Sequence, residues 1–331
     1  MYYRPADWHA RKTLWLAWPW DASLWGSDLA LCQQEFLALI NALREENVVI
    51  VCPDEAHRAQ VWRALDGQKD FSCLICPYAD IWLRDTLPIV VKDSNNNNVS
   101  MCGRFNGWGG KYLFEDDLSL NERMAHLWGF PVVSSAMVFE GGSLEFDGYG
   151  TLLTTTQCLQ NKNRNPSWSK KDIEQELTRL FGAQKIIWLK EGLKNDHTDG
   201  HIDTLARFIA PGEVVIMQPQ DIYDPNYEVL MAIKEQLMHE QDAQGNHLKI
   251  IELPSPGGVL DKHGHLMPAS YVNFIRGDHT LVIPTYGVPA DAQAVAIMQA
   301  HLPSMRVVGL SAKAILTGGG AFHCISQEVW L

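Results

Sequence analysis

Apolar residues in this chain follow two rhythms. Short runs rich in Val, Ile and Leu, bounded by Pro and Gly, alternate with longer stretches whose apolar positions recur at helical spacing. One series of runs comprises "VVIVCP" from Val48, "LPIVV" from Leu87, "TLLTTT" from Thr151, "EVVIMQP" from Glu213 and "TLVIPTYG" from Thr280. Their starts lie 39, 64, 62 and 67 residues apart, so every step but the first fits one repeat of about 60 residues. A second series is "CLICP", "FPVVSS", "KIIWL", "KIIEL" and "MRVVGL". Between the runs, amphipathic helices are predicted over 28–47, with Leu29, Phe36, Ile40 and Leu43 on one face, and over 169–181, opened by a Ser-x-x-Asp capping signal. Others are predicted over 225–240 and 290–301. "KDSNNNNVS" separates two strand-like runs and reads as a hairpin turn, because Asn tolerates positive φ.

Each run of the second series precedes a loop with a chemically interesting residue. Asp85 in "WLRDT", Glu140 in "FEGG", His201 with Asp203 in "GHIDT", and Cys324 in "GGGAFHCISQ" are separated by 55, 61 and 123 residues. The last gap is about two repeats, and its midpoint falls near Gly257-Gly258, the expected fourth loop. No linker interrupts the pattern. The expectation is a single α/β domain, 1–331, of five pseudo-repeats (helix, strand, functional loop, strand, strand) around an axis, with the loops converging at one end.

Composition narrows the partners. With 331 residues, 46% of them apolar, a large core is affordable, and a formal net charge of −12 argues against nucleic acid or anionic membranes and favours a cationic ligand. The start "MYYRPADWHARKT" is polar, and no stretch approaches the roughly 20 apolar residues of a membrane helix. A soluble, cytoplasmic protein is expected, and its seven cysteines are expected to be reduced thiols. Cys73 and Cys76 form a C-x-x-C without a second pair, so burial in a strand is expected there in place of structural zinc.

Taken singly, Asp85, Glu140, His201, Asp203 and Cys324 read as a cap, a surface group or a small core residue. Together they admit three chemistries. His201 and Asp203 share one face of an extended segment and could ligate a metal, but no second close His and no paired cysteines support zinc. A Cys-His hydrolase of protease type needs a single orienting carboxylate or amide, and here carboxylates are in surplus. Several carboxylates beside one thiol suit a guanidinium, whose planar fork of donors they would fix edge-on while sulfur attacks its central carbon. Phosphate-binding glycine patterns are absent; Gly318 to Gly320 instead let backbone and ligand approach Cys324 closely.

In these motifs and their order the chain resembles the agmatine deiminases, and more broadly the bacterial peptidylarginine-deiminase-like group of the guanidino-group-modifying superfamily. The resemblance runs from "LWLAWPWDASLW" at Leu14 to the C-terminus and takes in "WLRDT", "FNGWGGKY", "FEGGSLEFDGYGTLLTTTQCL", "NRNPSWS", "TDGHIDTLARF", "SYVNF" and "GGGAFHCISQ". It implies a five-bladed, pseudo-fivefold α/β propeller (pentein) of ββαβ repeats with its site on the central axis. By position it implies Cys324 as nucleophile, His201 as general acid/base, and Asp85, Glu140 and Asp203 as guanidinium-binding or proton-handling carboxylates, with no cofactor and no metal. The implied reaction is hydrolysis of agmatine to N-carbamoylputrescine and ammonia through a thiouronium intermediate, a step of polyamine synthesis. Arginine or peptidylarginine deimination is the alternative, and a non-catalytic guanidino-compound sensor is the alternative of another class. The expected partner is a small cationic guanidino compound, and a homo-oligomer stays open.

Three positions depart from the family pattern. The usual R-D-T-G-P is Arg84-Asp85-Thr86-Leu87-Pro88, the usual Asn after the glycines is Ala321, and His197 stands where many members carry an acid that meets the substrate's distal amine. Asp196 or Asp199 is expected to take over that amine, with Trp82, Trp108 and Gly320 flanking the substrate.

Overall fold

The computed structural model describes residues 2–66 and 71–330, so Met1, Leu331 and 67–70 of the expected single domain lie outside the described residues. Strand β1 (Lys12–Ala17) runs parallel to β2 (Asn47–Cys52) across helix α1 (Leu29–Ala42), and β2 runs parallel to β3 (Phe71–Ile75) across α2 (Glu55–Ala64). Parallel neighbours need such crossovers. The next sheet pairs β4 (Ile89–Lys92) antiparallel with β5 (Asn98–Arg104), which runs parallel to β6 (Val132–Val138) after α3 (Leu120–Trp128). The same antiparallel-then-parallel order recurs three times. It is seen in β7 (Glu145–Phe146), β8 (Thr151–Thr155) and β9 (Lys185–Leu189) with α4 (Lys170–Phe181), and in β10 (Ala206–Ala210), β11 (Glu213–Gln218) and β12 (Lys249–Pro254) with α5 (Tyr227–His239). It returns in β13 (Ile275–Arg276), β14 (Thr280–Thr285) and β15 (Arg306–Ser311) with α6 (Ala290–His301). Strand β16 (Ser326–Trp330) pairs antiparallel with β1, so one sheet joins both ends of the chain.

Local chemistry explains the boundaries. Ser169 and Asp172 form a reciprocal capping box at the start of α4, and Gly182, at φ 68°, ends it in the left-handed conformation that glycine adopts without strain. Helix α1 buries Cys32, Phe36, Leu39 and Ile40 but stops at Ala42, because 43–46 turns the chain into β2, shorter than the predicted 28–47. Full burial of a side chain such as Phe36 contributes about 2 kcal/mol before cavity effects. The Asn run is the β4–β5 turn, with Asn96 at φ 62°.

The odd first step of 39 residues now has a cause. "LPIVV" is β4, the first strand of its sheet, whereas the strand that corresponds to β8, β11 and β14 is β5. Apolar content alone cannot tell an edge strand from a central one.

The edge strand at the parallel end of each sheet (β3, β6, β9, β12, β15) is followed by a loop, and the five loops supply Asp85, Glu140, His201 with Asp203, Asn273 and Cys324 respectively. The fourth loop therefore contributes Asn273. Gly257-Gly258, the expected contribution, lies elsewhere, against Pro225 and Leu266.

Candidate active site

Cys324 sits in the turn before β16, buried, with its thiol in a cavity of about 210 Å³ also lined by Trp82, Asp85, Trp108, His197 and Gly318 to Gly320. A methyl group on Gly320 would lie 2.9 Å from Sγ and 2.8 Å from the Trp82 ring, so only glycine leaves that approach open. Asn273 organises the turn. Its Oδ1 accepts from the backbone N–H of Ala321, His323 and Cys324 at 3.2, 3.1 and 3.3 Å, while Nδ2 donates to Sγ at 3.2 Å and to the Asp203 carbonyl at 3.3 Å.

Asp85 occupies the helical turn Leu83–Thr86; its carboxylate accepts from Trp108 Nε1 at 2.8 Å and from the Gly142 N–H at 2.9 Å. Trp108 makes that contact from φ 53°, a conformation rare for a bulky residue and flanked by Gly107 and Gly109. Glu140 lies two residues beyond β6 and takes both of its oxygens to Arg164 Nε at 3.0 Å. His201 lies between the two carboxylates, Nδ1 3.7 Å from Asp85 and Nε2 3.5 Å from Glu140, fully buried and outside hydrogen-bond range of either. Asp203, one turn on, faces the thiol at 3.6 Å and accepts from His323 Nδ1 at 2.7 Å. The five expected catalytic residues are thus neighbours around one buried thiol.

Charge in this cluster follows from burial and neighbours. Burial would lower the His201 pKa, but Asp85, Cys158 and Glu140 together drive it well above the usual imidazole value, so the ring is an imidazolium. Burial would raise Glu140, but Arg164 and His201 hold it below its ordinary value. Burial raises Asp85, and burial helped by Asp85 lifts Asp203 to about 6 against the pull of His201, Arg207 and Arg84. Burial, then Asp203 and Asp85, push the Cys324 thiol well above its usual value. His323 is pressed far below its ordinary value by burial, Arg207, Arg84 and Arg4, and so donates to Asp203 as a neutral ring.

Arginines set this pattern from behind. Arg84 grips Glu328 through two bonds of 2.8 and 2.7 Å, Arg4 meets the same carboxylate at 3.1 Å, and Arg207 bridges Asp7 and Glu145. Among the described residues, two trios bring donor atoms within 4.8 Å of one another, Glu140–Cys158–His201 and Asp7–His323–Glu328. Arg164 already neutralises Glu140, and Arg4 and Arg84 already neutralise Glu328, so each trio carries its own cation.

Of the other expected contacts, Trp82 and Gly320 line the cavity beside the thiol, and Trp108 lines it while holding Asp85. Asp196 and Asp199 do not line it. The Asp196 carboxylate accepts from Thr198 N–H, Thr198 Oγ1, Gly200 N–H and His201 N–H, and Asp199 is spent on Lys111, Asn163 and Arg164. Both shape the His201 loop, and Asp196 also lines the wider vestibule outside the inner cavity. Sequence reasoning assigned no role to Asn273, Arg164 or His323, although each lies inside a motif it singled out; the one available signal was the missing contribution of a fourth loop.

Asn273→Ala removes the shared acceptor of three N–H groups and the amide donor that faces the thiol. A loss of about 1–3 kcal/mol of stability is expected from the orphaned groups, with kcat/KM falling by about 10²-fold as the turn relaxes. Thermal unfolding and steady-state rates check this, and an unchanged rate would show that the turn holds without Asn273.

A family description, Porphyromonas-type peptidyl-arginine deiminase, matches residues 3–329. The chain is 35% identical to a Marinomonas sp. (strain MWYL1) protein provisionally named agmatine deiminase, over 98% of this chain and 93% of that one. Among solved structures it is similar to the agmatine deiminase of Enterococcus faecalis catalysing its reaction (TM-score 0.92, 27% identity, 99% of this chain and 95% of that one). It is also similar to a serine-for-cysteine variant of the C. jejuni agmatine deiminase with substrate bound (TM-score 0.91, 28% identity, 100% and 97%).

Proposed function

The chain belongs to the Porphyromonas-type peptidyl-arginine deiminase family, and on that premise we propose that it is an agmatine deiminase, a hydrolase that converts agmatine and water to N-carbamoylputrescine and ammonia. The observation that carries this reading is one buried thiol in a small cavity that Asp85 also lines, 3.6 Å from Asp203, with His201 held between Asp85 and Glu140. The same reading takes the five sheets as blades of a pentein propeller in one catalytic domain. Their shared strand order and the β16–β1 closure support it. Seven free thiols fit a reducing compartment such as the cytoplasm.

Asp85 and Asp203 clamp the guanidinium edge-on and bring its central carbon to Sγ. Without a bound cation the thiol is neutral, because burial and then Asp203 and Asp85 oppose its ionisation. A bound cation cancels that field, and Asp203, 3.6 Å away, is the nearest base to receive the thiol proton. Thiolate attack forms the C–S bond; His201, charged at rest, gives a proton to the departing amino group, and the C–N bond breaks to release ammonia. The neutral imidazole then takes a proton from water as it attacks the thiouronium carbon. The C–S bond breaks, and the ureido product leaves with the thiol restored. No metal enters any step.

The inner cavity of about 210 Å³ fits a guanidino group on a slim alkyl chain better than a peptide backbone. Incubation with agmatine, free arginine, arginine methyl ester and an arginine peptide, followed for ammonia and ureido product, tests this. Agmatine should be turned over fastest. Preferential citrulline formation in the peptide would move the assignment to peptidylarginine, and tight binding without any product would make the protein a sensor.

A further inference from the structure

Among the described residues lining the inner cavity, two carry carboxylates: Asp85, at the reacting end, and Asp80. Asp80 also lines the wider vestibule of about 970 Å³ outside, so it stands where the two spaces meet. Its Oδ1 accepts from Trp25 Nε1 at 3.0 Å and from the Ile81 N–H at 2.8 Å, and its Oδ2 accepts from Trp82 Nε1 at 2.7 Å. An ionised carboxylate has about four acceptor sites, so one remains on Oδ2.

Trp82 sets the distance from Asp80 to the thiol. A methyl on Gly320 would meet Trp82 Cζ3 at 2.8 Å and Cys324 Sγ at 2.9 Å, so the benzene edge of the indole borders the thiol. The opposite edge, Nε1, is bonded to Asp80. Thiol and carboxylate are therefore one indole apart along a wall that Trp25 extends by stacking at 6.1 Å. Three bonds of an extended chain advance by roughly 3.5 Å, so the six bonds from a guanidino carbon to an amine beyond a butyl chain reach roughly 7 Å, a span that matches one indole plus a hydrogen bond. His197, which also lines both spaces, stacks on Tyr112 and bonds its hydroxyl at 3.3 Å, and it contributes no negative charge.

We propose that Asp80 is the specificity-determining acceptor for the substrate's distal ammonium, so that the site selects guanidino compounds carrying a second cation at the far end of a short alkyl chain and rejects those carrying a carboxylate there. This rests on the deiminase reading. A residue that reads only the distal group acts on substrates that possess one, whereas a residue that merely holds Trp82 in place acts on all.

The experiment compares agmatine with 1-butylguanidine, which lacks the amine, on the wild type and on Asp80→Asn. The wild type should favour agmatine at least about 10-fold in kcat/KM, and the variant should lose about 10- to 100-fold with agmatine while holding its rate with butylguanidine. Free arginine should gain relative to agmatine in the variant, since a carboxylate no longer faces its own. Equal kcat/KM for the two guanidines in the wild type would overturn the Asp80 assignment without any variant, as would equal losses for both in Asp80→Asn. No turnover of either by the wild type would remove the deiminase reading itself, and the inference with it.

Discussion

Cys324→Ala is expected to abolish ammonia release from agmatine, by at least about 10⁴-fold, while the substrate still binds. Removal of a nucleophile leaves only the contribution of positioning and charge, and losses of this order are usual for such a change. The surroundings argue that the effect is chemical. The thiol is neutral at rest, so its loss strands no charge. Asn273 Nδ2 keeps the Asp203 carbonyl as an acceptor, and Asp85, Glu140, His201 and Asp203 keep their partners. Single-turnover ammonia assays and calorimetric titration with agmatine separate the two quantities. Turnover above about 1% of the wild type would mean that the reaction does not pass through this sulfur.

Asp203→Asn should cost activity and raise stability at once. In the proposed mechanism the carboxylate supplies one edge of the guanidinium clamp and the base that receives the thiol proton, so a rate loss of about 10²- to 10⁴-fold is expected. The stability effect follows from linkage. The folded pKa of Asp203, about 6, exceeds its ordinary value of 3.8 because burial and Asp85 favour the proton. An acid of that kind binds its proton more tightly folded than unfolded. Its contribution is favourable below pH 3.8 and is lost as pH rises through about 6, so at neutral pH the ionised group is a burden on the order of 2–3 kcal/mol. The asparagine variant, whose amide oxygen still accepts from His323, should melt higher than the wild type at pH 8. The gap should close below about pH 4, where the wild-type carboxyl is protonated as well. A lower melting temperature at pH 8 would show that the ionised carboxylate is a net stabiliser.

Much of this site was legible in the sequence, because its reactive residues lie in short loops that directly follow β-rich runs. Asp85, Glu140, His201, Asp203 and Cys324 each lie in the loop that follows a strand which apolar content locates, and the structure links them through contacts of Asp203 with the thiol and of His201 with Asp85 and Glu140. The glycine pair at 257–258 misled for a physical reason: glycine marks any tight turn, and this one packs against Pro225 and Leu266 away from the thiol. The true contribution of that loop, Asn273, is an uncharged side chain in an apolar stretch, and nothing local distinguishes it from a satisfied core amide. Asp196 and Asp199 misled in the opposite sense. An acid beside "TDGH" is indistinguishable in sequence from one that faces substrate, yet their lone pairs are consumed by Thr198, Gly200, Arg164 and Lys111.

Most strand and helix placement, four of the five site loops and the choice of Cys324 as the candidate nucleophile were determined by the sequence alone, since periodicity, capping and side-chain chemistry are local properties. Which acids are free and which groups are charged was decided only by the folded chain. Burial, together with Arg207 on β10, Arg84 in the first loop and Arg4 near one end, keeps His323 neutral, and two loops from different sheets trap His201 between carboxylates as a cation. Electrostatic fields in a buried site sum over groups hundreds of residues apart, and hydrogen-bond capacity is spent on whichever donors tertiary packing brings near, so neither quantity is written at any single position of the chain.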